Sequence, residues 1–521
     1  MNDTGTTARA GRREWIGLAV LALPTLLLSL DMSVLHLAVP HLAADLGPSS
    51  TQLLWIIDIY GFMVAGFLVT MGTLGDRIGR RKLLMYGGAA FGAASILAAF
   101  STSPEMLIAA RAALGIAGAT LMPSTLALIS NMFTDARQRG VAIAVWMSCF
   151  MGGMVIGPLV GGLLLEIAWW GAVFLLAVPV MVLLLATAPT LLPEYRDEQA
   201  GRLDLVSVVL SLGTVLPVVF ALKEFTKDGV SPVTLLVLVA GLAVGVAFVR
   251  RQRTLADPML DLSLFRNRRF TAALSIMSVG ALVMGGVFLL VSQYLQLVAG
   301  LSAAEAGVVL VPQALAVVAG SLIAPRLARR IRPEFVLGFG MIVAVGGFVL
   351  FTQAGVDGVV LVVLGMSIAG FGMGPQGVLC TEMVIGSVPA RRAGAASAMS
   401  ETTGEFGIAM GIALFGSIGT AVYRDELSLP AGLTGDTATQ ASESLAGATT
   451  VAAGMDQQAA AGLLETAREA FTSGLHTVAT IGGIVVVVFA VVGMVALRKS
   501  GTPKPEAAQE PEPTPEPALA A

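Results

Sequence analysis

Apolar residues run along this chain in long unbroken blocks, not in strand-like alternation or in the one-sided stripes of soluble helices. A bilayer core about 30 Å thick is crossed by about 20 apolar residues in a helix. Fourteen blocks of that size are legible, near 15–39, 52–72, 83–101, 106–130, 140–165, 169–190, 203–222, 231–249, 270–297, 305–325, 335–353, 357–381, 394–420 and 472–497. Their continuity argues against a transmembrane barrel, whose strands alternate. The first block is too long for a signal-peptide core and lacks a small-residue cleavage site, so it counts as a spanning helix. The pattern predicts an all-α polytopic membrane protein.

The polar punctuation between blocks supports that count. Basic residues concentrate on the cytoplasmic side of spanning helices. Here the N-terminus, every even-numbered connection and the C-terminal tail carry 26 of the 31 Lys and Arg residues, while the odd connections carry 4. One helix too many or too few would scramble this segregation. It predicts that both termini are cytoplasmic. Arg111 alone falls inside a block.

Two stretches lie outside the blocks. Residues 424–471 are expected as a long extracytoplasmic connection. Within it Leu463, Leu464, Ala467, Ala470 and Phe471 have helical spacing, which leaves open a surface helix, a cap or a loosely ordered loop. The Pro- and Glu-rich tail 501–521 is expected to be disordered.

Composition narrows the function classes. The chain is 56% hydrophobic and 12% charged, against about 25% charged for soluble domains, which excludes a soluble enzyme and a nucleic-acid binder. Cys149 and Cys380 sit in apolar runs and read as packing residues, and three scattered histidines offer no metal cluster or catalytic set. There is no GxxxxGK[ST] phosphate loop, so a nucleotide-driven pump is excluded. No cofactor is implied.

A faint repeat organises the blocks. Gly72-Thr-Leu-Gly-Asp76-Arg77-Ile-Gly79-Arg80-Arg81-Lys82 closes the second block and Gly320-Ser-Leu-Ile-Ala-Pro-Arg326-Leu-Ala-Arg329-Arg330 closes the tenth. The tenth would be the second helix of a repeated six-helix unit if blocks seven and eight are inserted. The expected organisation is a cytoplasmic segment 1–14, a six-helix bundle 15–190, an inserted pair 203–249 and a second bundle 270–497. Repeated halves point to a transporter with its site between them.

Three motifs carry a resemblance over nearly the whole chain. They are Gly72-x-Leu74-x-Asp76-Arg77-x-Gly79-Arg80-Arg81, then Gly153-Met-Val-Ile-Gly157-Pro158-Leu-Val-Gly161-Gly162 in the fifth block, then Leu30-Asp31-Met-Ser-Val-Leu-His36-Leu-Ala-Val-Pro40 in the first. The chain resembles the fourteen-helix drug:proton antiporters of the major facilitator superfamily, the QacA-like multidrug efflux group. It departs from their first-helix pattern at Ser33 and His36, where they have Thr and Asn. It also lacks an acid inside the tenth block, which the resemblance associates with divalent substrates.

Each motif has a physical reading of its own. Glycines in the 72–82 segment permit a tight turn and close helix approach. Asp76 can accept hydrogen bonds from a helix N-terminus or an Arg, forming a conformational latch of Gly72, Asp76, Arg77, Gly79 and Arg80. The plainer alternative is that the arginines only fix topology. In the fifth block Pro158 should kink the helix, and Gly153, Gly157, Gly161 and Gly162 give a smooth packing face where the halves seal. This is the segment that the resemblance associates with antiporters.

The intramembrane charges are the candidate coupling groups. Arg111 in hydrocarbon costs at least about 2.5 kcal/mol, so it should face a partner or snorkel outward. The resemblance links it to proton coupling. Asp31 lies in the outer half of the first block, and Asp58 lies about 9 Å below the outer end of the second. Glu401 and Glu405 sit about 10 Å and 16 Å above the inner end of the thirteenth block. Being four apart, they share a helix face within about 6 Å, and two such carboxylates in a low dielectric titrate as a unit holding a proton. A buried structural role is the alternative. Trp55, Tyr60, Trp146 and Phe406, with Phe62, Met63, Phe150, Met151 and Met410, suit a lipophilic cation at these depths, although each singly reads as ordinary packing. Gln293 and Tyr294 are polar candidates for orienting it. Asp31→Asn is expected to weaken cation binding with the fold intact.

The expectation is a proton-driven efflux antiporter in a bacterial cytoplasmic membrane. It would export lipophilic, mainly monovalent cations such as quaternary ammonium compounds and dyes, working as a monomer in membrane lipid with protons as coupling ion. A dedicated exporter of an endogenous antibiotic or metabolite is the alternative, and a polytopic membrane enzyme a remote one.

Overall fold

The computed structural model describes residues 10–48, 50–196, 204–227, 231–255, 258, 260–388, 393–430, 433 and 435–498, with a few helical side chains, among them those of Ser33, His36, Asp58 and Pro158, outside the described set. The tail 501–521 and the start of the N-terminal segment also lie outside it.

The described residues are predominantly helical, without strands. The first half contains α1 (Arg12–Leu46), α2 (Ser50–Ile78), α3 (Arg80–Ala99), α4 (Pro104–Met132), α5 (Ala136–Ile167), and the pair α6 (Ala172–Leu175) and α7 (Ala177–Leu191). A hairpin follows, α8 (Leu205–Lys227) and α9 (Pro232–Thr254). The second half contains α10 (Arg268–Gln293) with a π-helical extension Tyr294–Val298, α11 (Ala303–Val309), α12 (Val311–Leu327), α13 (Pro333–Phe351), α14 (Val359–Gly386) and α15 (Ala393–Glu426). It ends with α16 (Asp436–Glu443), α17 (Leu445–Ala452) and α18 (Gln457–Arg498). Among the described residues 13 stretches are long and apolar enough to cross a membrane. Beside them stands α5, 32 residues long, which opens on Arg137, Gln138 and Arg139.

The two halves are packed alike. α1 lies on α5 as α10 lies on α15, and α2 lies on α4 as α12 lies on α14. α3 bridges α4 and α7 as α13 bridges α14 and α18. Each half buries an apolar core, and that of the first half continues across the seams into Val378, Ile385 and Ala393. The halves meet along two seams, α2 against α15 and α5 against α12.

Glycine makes the close approaches. A Cβ on Gly153 would overlap the Leu26 carbonyl of α1, and one on Gly411 would overlap the Leu282 carbonyl of α10. In lipid, where apolar burial gives no driving force between helices, such backbone proximity is what packing can use.

The hairpin lies over one seam only. Phe62 and Ala65 of α2 pack with Val215 and Val219 of α8, while Val218 and Leu222 of α8 pack with Ala413 of α15. α9 packs on α8 and leaves Leu236, Val239, Leu242 and Val246 exposed, as a lipid-facing surface would. The base of the hairpin is clasped: Arg251 donates to Asp204 through Nε (2.7 Å) and Nη2 (3.0 Å), and Gln252 donates to Ser207 (2.7 Å). Hydrogen bonds from Arg251, then from Ser207, hold the Asp204 carboxyl well below the usual carboxylate range.

The expected long loop is largely folded. α15 continues to Glu426, α16 and α17 follow, and α18 starts 15 residues before the apolar block that announced it. Leu463, Ala467, Ala470 and Phe471 are buried in the core of the second half, and the Tyr423 hydroxyl donates to the Ala441 carbonyl (2.8 Å). The helical spacing there reflects burial against protein, so a helix lying on the membrane surface is ruled out.

Candidate functional site

α15 changes character at residue 401. Residues 393–400 are buried except for one, whereas each of 401–406 is partly accessible. In α5, residues 147–152 are all partly accessible too. Gly61 of α2, Gly152 of α5 and Gly404 of α15 each face open space, with nothing within 4 Å of an added Cβ. Glu401 and Glu405 enter this accessible stretch from α15. The charge of Glu405 acts on Glu401 and also on the Tyr60 hydroxyl of α2, so the pair belongs electrostatically to both halves.

Arg111 reaches inward from α4. Its Nη1 donates to Asp31 Oδ2 of α1 at 2.8 Å, its Nε to the Ile56 carbonyl at 3.1 Å, and its Nη2 to the Ile57 carbonyl at 3.5 Å. The guanidinium lies 4.9 Å from the Tyr60 ring centroid and 5.9 Å from that of Phe174. It is fully buried, so the snorkelling alternative fails. Pairing makes the buried charge tolerable. Asp31 is consequently half of a neutral pair rather than a free counter-charge for a cation, and its neutralisation should not leave the fold intact. The Asp58 side chain lies outside the described residues.

The aromatic candidates divide. Trp55, partly exposed, stacks near Phe62 (centroids 6.0 Å), which meets Phe220 of α8 (6.3 Å), and Phe406 packs against the same cluster. Trp146 does not belong there: its indole is 1% exposed, sits in the core of the first half, and donates to Thr125 Oγ1 at 3.1 Å. Tyr294 is also withdrawn. Its hydroxyl donates to the Gly355 and Val356 carbonyls and accepts from the Gly358 N–H, tying α10 to the turn before α14. With its hydrogen-bonding capacity filled by backbone, it cannot orient a substrate. Gln293, beside it, is half-buried.

Asp76 and Arg80 join the halves at the basic end of the bundle. Asp76 accepts from Arg80 Nε (2.8 Å) and Nη2, and through Oδ2 from the Ala395 N–H (2.9 Å). Ala395 and Gly394 belong to the first turn of α15, whose amide groups otherwise lack helical partners. Arg80 Nη2 donates further to the Gly72 carbonyl (2.5 Å). A Cβ on Gly72 would overlap Ala398, and one on Gly394 would overlap the Arg80 guanidinium. Gly79 is the single residue between α2 and α3, at φ 114°, a left-handed conformation suited to glycine. Arg77 is half-buried. Glu194 secures this turn by accepting from the Arg81 N–H (3.0 Å). At the other seam Arg139 of α5 lies 4.0 Å from Glu382 of α14.

In α5, Gly153 and Gly161 press against Leu26, Ser29 and Val34 of α1, within the same half, and Gly162 meets nothing within 4 Å. Gly157 is buried, and the Pro158 side chain is outside the described set. Sequence reasoning missed Gly394, Ala395, Glu194 and Phe220. None carries a local motif, and each matters only through what it meets across the fold.

Comparison with known proteins agrees with this architecture. A family model described as Major Facilitator Superfamily matches residues 21–412. The multidrug efflux pump LfrA of Mycolicibacterium smegmatis is 44% identical over 96% of this chain and 99% of its own length. The methyl viologen resistance protein SmvA of Salmonella typhimurium is 34% identical, over 88% of this chain and 93% of its own. Among solved structures, the human organic anion transporter MFSD10 shares the fold, with a TM-score of 0.57 at 16% identity, covering 91% of this chain and 99% of that one.

Proposed function

Because this chain belongs to the Major Facilitator Superfamily and is therefore a membrane transporter rather than an enzyme, we propose that it is a proton-driven multidrug efflux antiporter. It exports lipophilic, mainly monovalent cations from the cytoplasm of a bacterial cell by alternating access, with both termini cytoplasmic, and needs no cofactor other than the coupling proton. The relatives are a multidrug efflux pump and a methyl viologen resistance protein, which supports the export reading.

The observation that carries the coupling is the placement of Glu401 and Glu405 where α15 emerges from the buried seam into the accessible stretch. Two carboxylates one turn apart in a medium of low dielectric hold a proton between them while the site is empty. A cation entering beside them favours the ionised form and displaces that proton inward. Reprotonation from outside removes the counter-charge and releases the cation. The latch of Asp76, Arg80 and the α15 N-terminus holds the cytoplasmic side shut during that second step. The Arg111–Asp31 pair beside Tyr60 keeps a fixed field next to Glu405.

Purified protein in liposomes tests this. A gradient of ethidium should drive proton movement through the wild type, and Glu405→Gln should still bind the dye but no longer move protons. Glu401→Gln, nearer the cytoplasmic end, should be milder. More than one proton per cation makes exchange electrogenic, worth about 2.3 kcal/mol per net charge per 100 mV. Wild-type efflux should then accelerate when the inside is negative. A Glu405→Gln protein that still exchanges protons would refute the assignment.

A further inference from the structure

The inserted hairpin is placed to do more than brace the bundle. α8 is wedged on the α2–α15 seam, the one from which Glu401 and Glu405 project, and nothing equivalent among the described helices covers the α5–α12 seam. At the seam α8 presents Phe220. Its ring meets Phe62 of α2 at 6.3 Å, and Phe406 of α15, the residue after Glu405, packs on the same cluster. One aromatic face is thus assembled from both halves and the hairpin. Phe220 and Phe406 are each partly accessible, unlike the sealed Trp146. Gly61 and Gly404, which flank Phe62 and Glu405 in sequence, open onto free space.

We propose that the hairpin forms one wall of the substrate site and that Phe220 is a specificity-determining residue, selecting planar aromatic cations over aliphatic ones. The reading rests on the efflux function proposed above. Its physical basis is that an aromatic ring adds stacking and quadrupole attraction that an aliphatic side chain of similar bulk lacks. Aromatic pairing at one ring is worth about 1 kcal/mol, about fivefold in affinity. Aliphatic ammonium ions, which meet Phe220 through alkyl surface, feel chiefly its bulk.

The experiment compares ethidium with tetrapropylammonium, both permanently monovalent, on the full-length protein in liposomes. Phe220→Leu should raise the KM for ethidium about fivefold, with kcat changed less than twofold and the KM for tetrapropylammonium unchanged. Phe220→Tyr, which keeps the ring, should retain wild-type selectivity and guards against a folding defect in the leucine variant. Phe248→Leu, an aromatic residue of α9 away from the seam, should alter neither substrate. Equal KM values for ethidium in wild type and Phe220→Leu, or equal losses for both cations, would overturn the role of the hairpin while leaving efflux standing. A wild-type protein that transports neither cation would instead overturn the efflux reading.

Discussion

Asp76→Asn separates the latch from its topological surroundings. The substitution keeps size and shape but removes charge. Within the first half Asp76 is paired with Arg80, and that loss is common to both conformations, so it cancels in the equilibrium between them. The bond that exists only while the halves are joined is the one from the Ala395 amide. A hydrogen bond to a charged acceptor contributes about 1.5–3 kcal/mol and a neutral one about 0.5–1.5 kcal/mol. Losing the charge should therefore cost the closed arrangement about 1 kcal/mol, or about fivefold in population. Spin labels at Lys82 and Arg330, both exposed at the basic end and one in each half, report the separation by double electron–electron resonance, with Cys149 and Cys380 replaced. Asp76→Asn should move the distance distribution towards the longer, open population and slow turnover without changing expression. Gly394→Ala should do the same with the charge intact, because its Cβ would displace the Arg80 guanidinium. An unchanged distance distribution in Asp76→Asn would reduce the segment to a topology signal.

Two further outcomes follow from the site. Asp31→Asn strands a fully buried Arg111 and should cost about 3 kcal/mol of stability, whereas Asp31→Asn combined with Arg111→Gln should recover part of it; a single variant that unfolds thermally like the wild type would contradict the pairing. Gly404→Ala fills open space without a clash, so thermal stability should hold or rise by up to about 1 kcal/mol from helix propensity while the KM for bulky cations increases; Gly411→Ala, whose Cβ would overlap a backbone carbonyl, should instead destabilise, and similar unfolding of the two would refute the packing described for α15.

Much of this protein was written along the chain. Continuous apolar blocks dictate helices because a backbone in hydrocarbon must satisfy its own hydrogen bonds, and 13 stretches among the described residues are long and apolar enough to cross a membrane. The i, i+4 spacing puts Glu401 and Glu405 on one face of a helix whatever surrounds it. Arg111 had to face a partner or snorkel outward, and burial beside Asp31 decides for the partner. What the chain could not announce were meetings across it. Asp76 meets Ala395 over 319 positions, and Trp146 and Tyr294 spend their polar atoms on Thr125 and on the 355–358 turn rather than facing a substrate. Residues 457–471 look polar enough for a loop until the second half supplies a surface to bury Leu463, Ala467, Ala470 and Phe471. The inserted hairpin is legible as two apolar blocks, but its position over one seam depends on side-chain fit among Phe62, Phe220 and Phe406, three residues from three helices. Apolarity and charge are properties of single positions and survive in the sequence; complementarity belongs to pairs, and only packing in three dimensions selects the pairs.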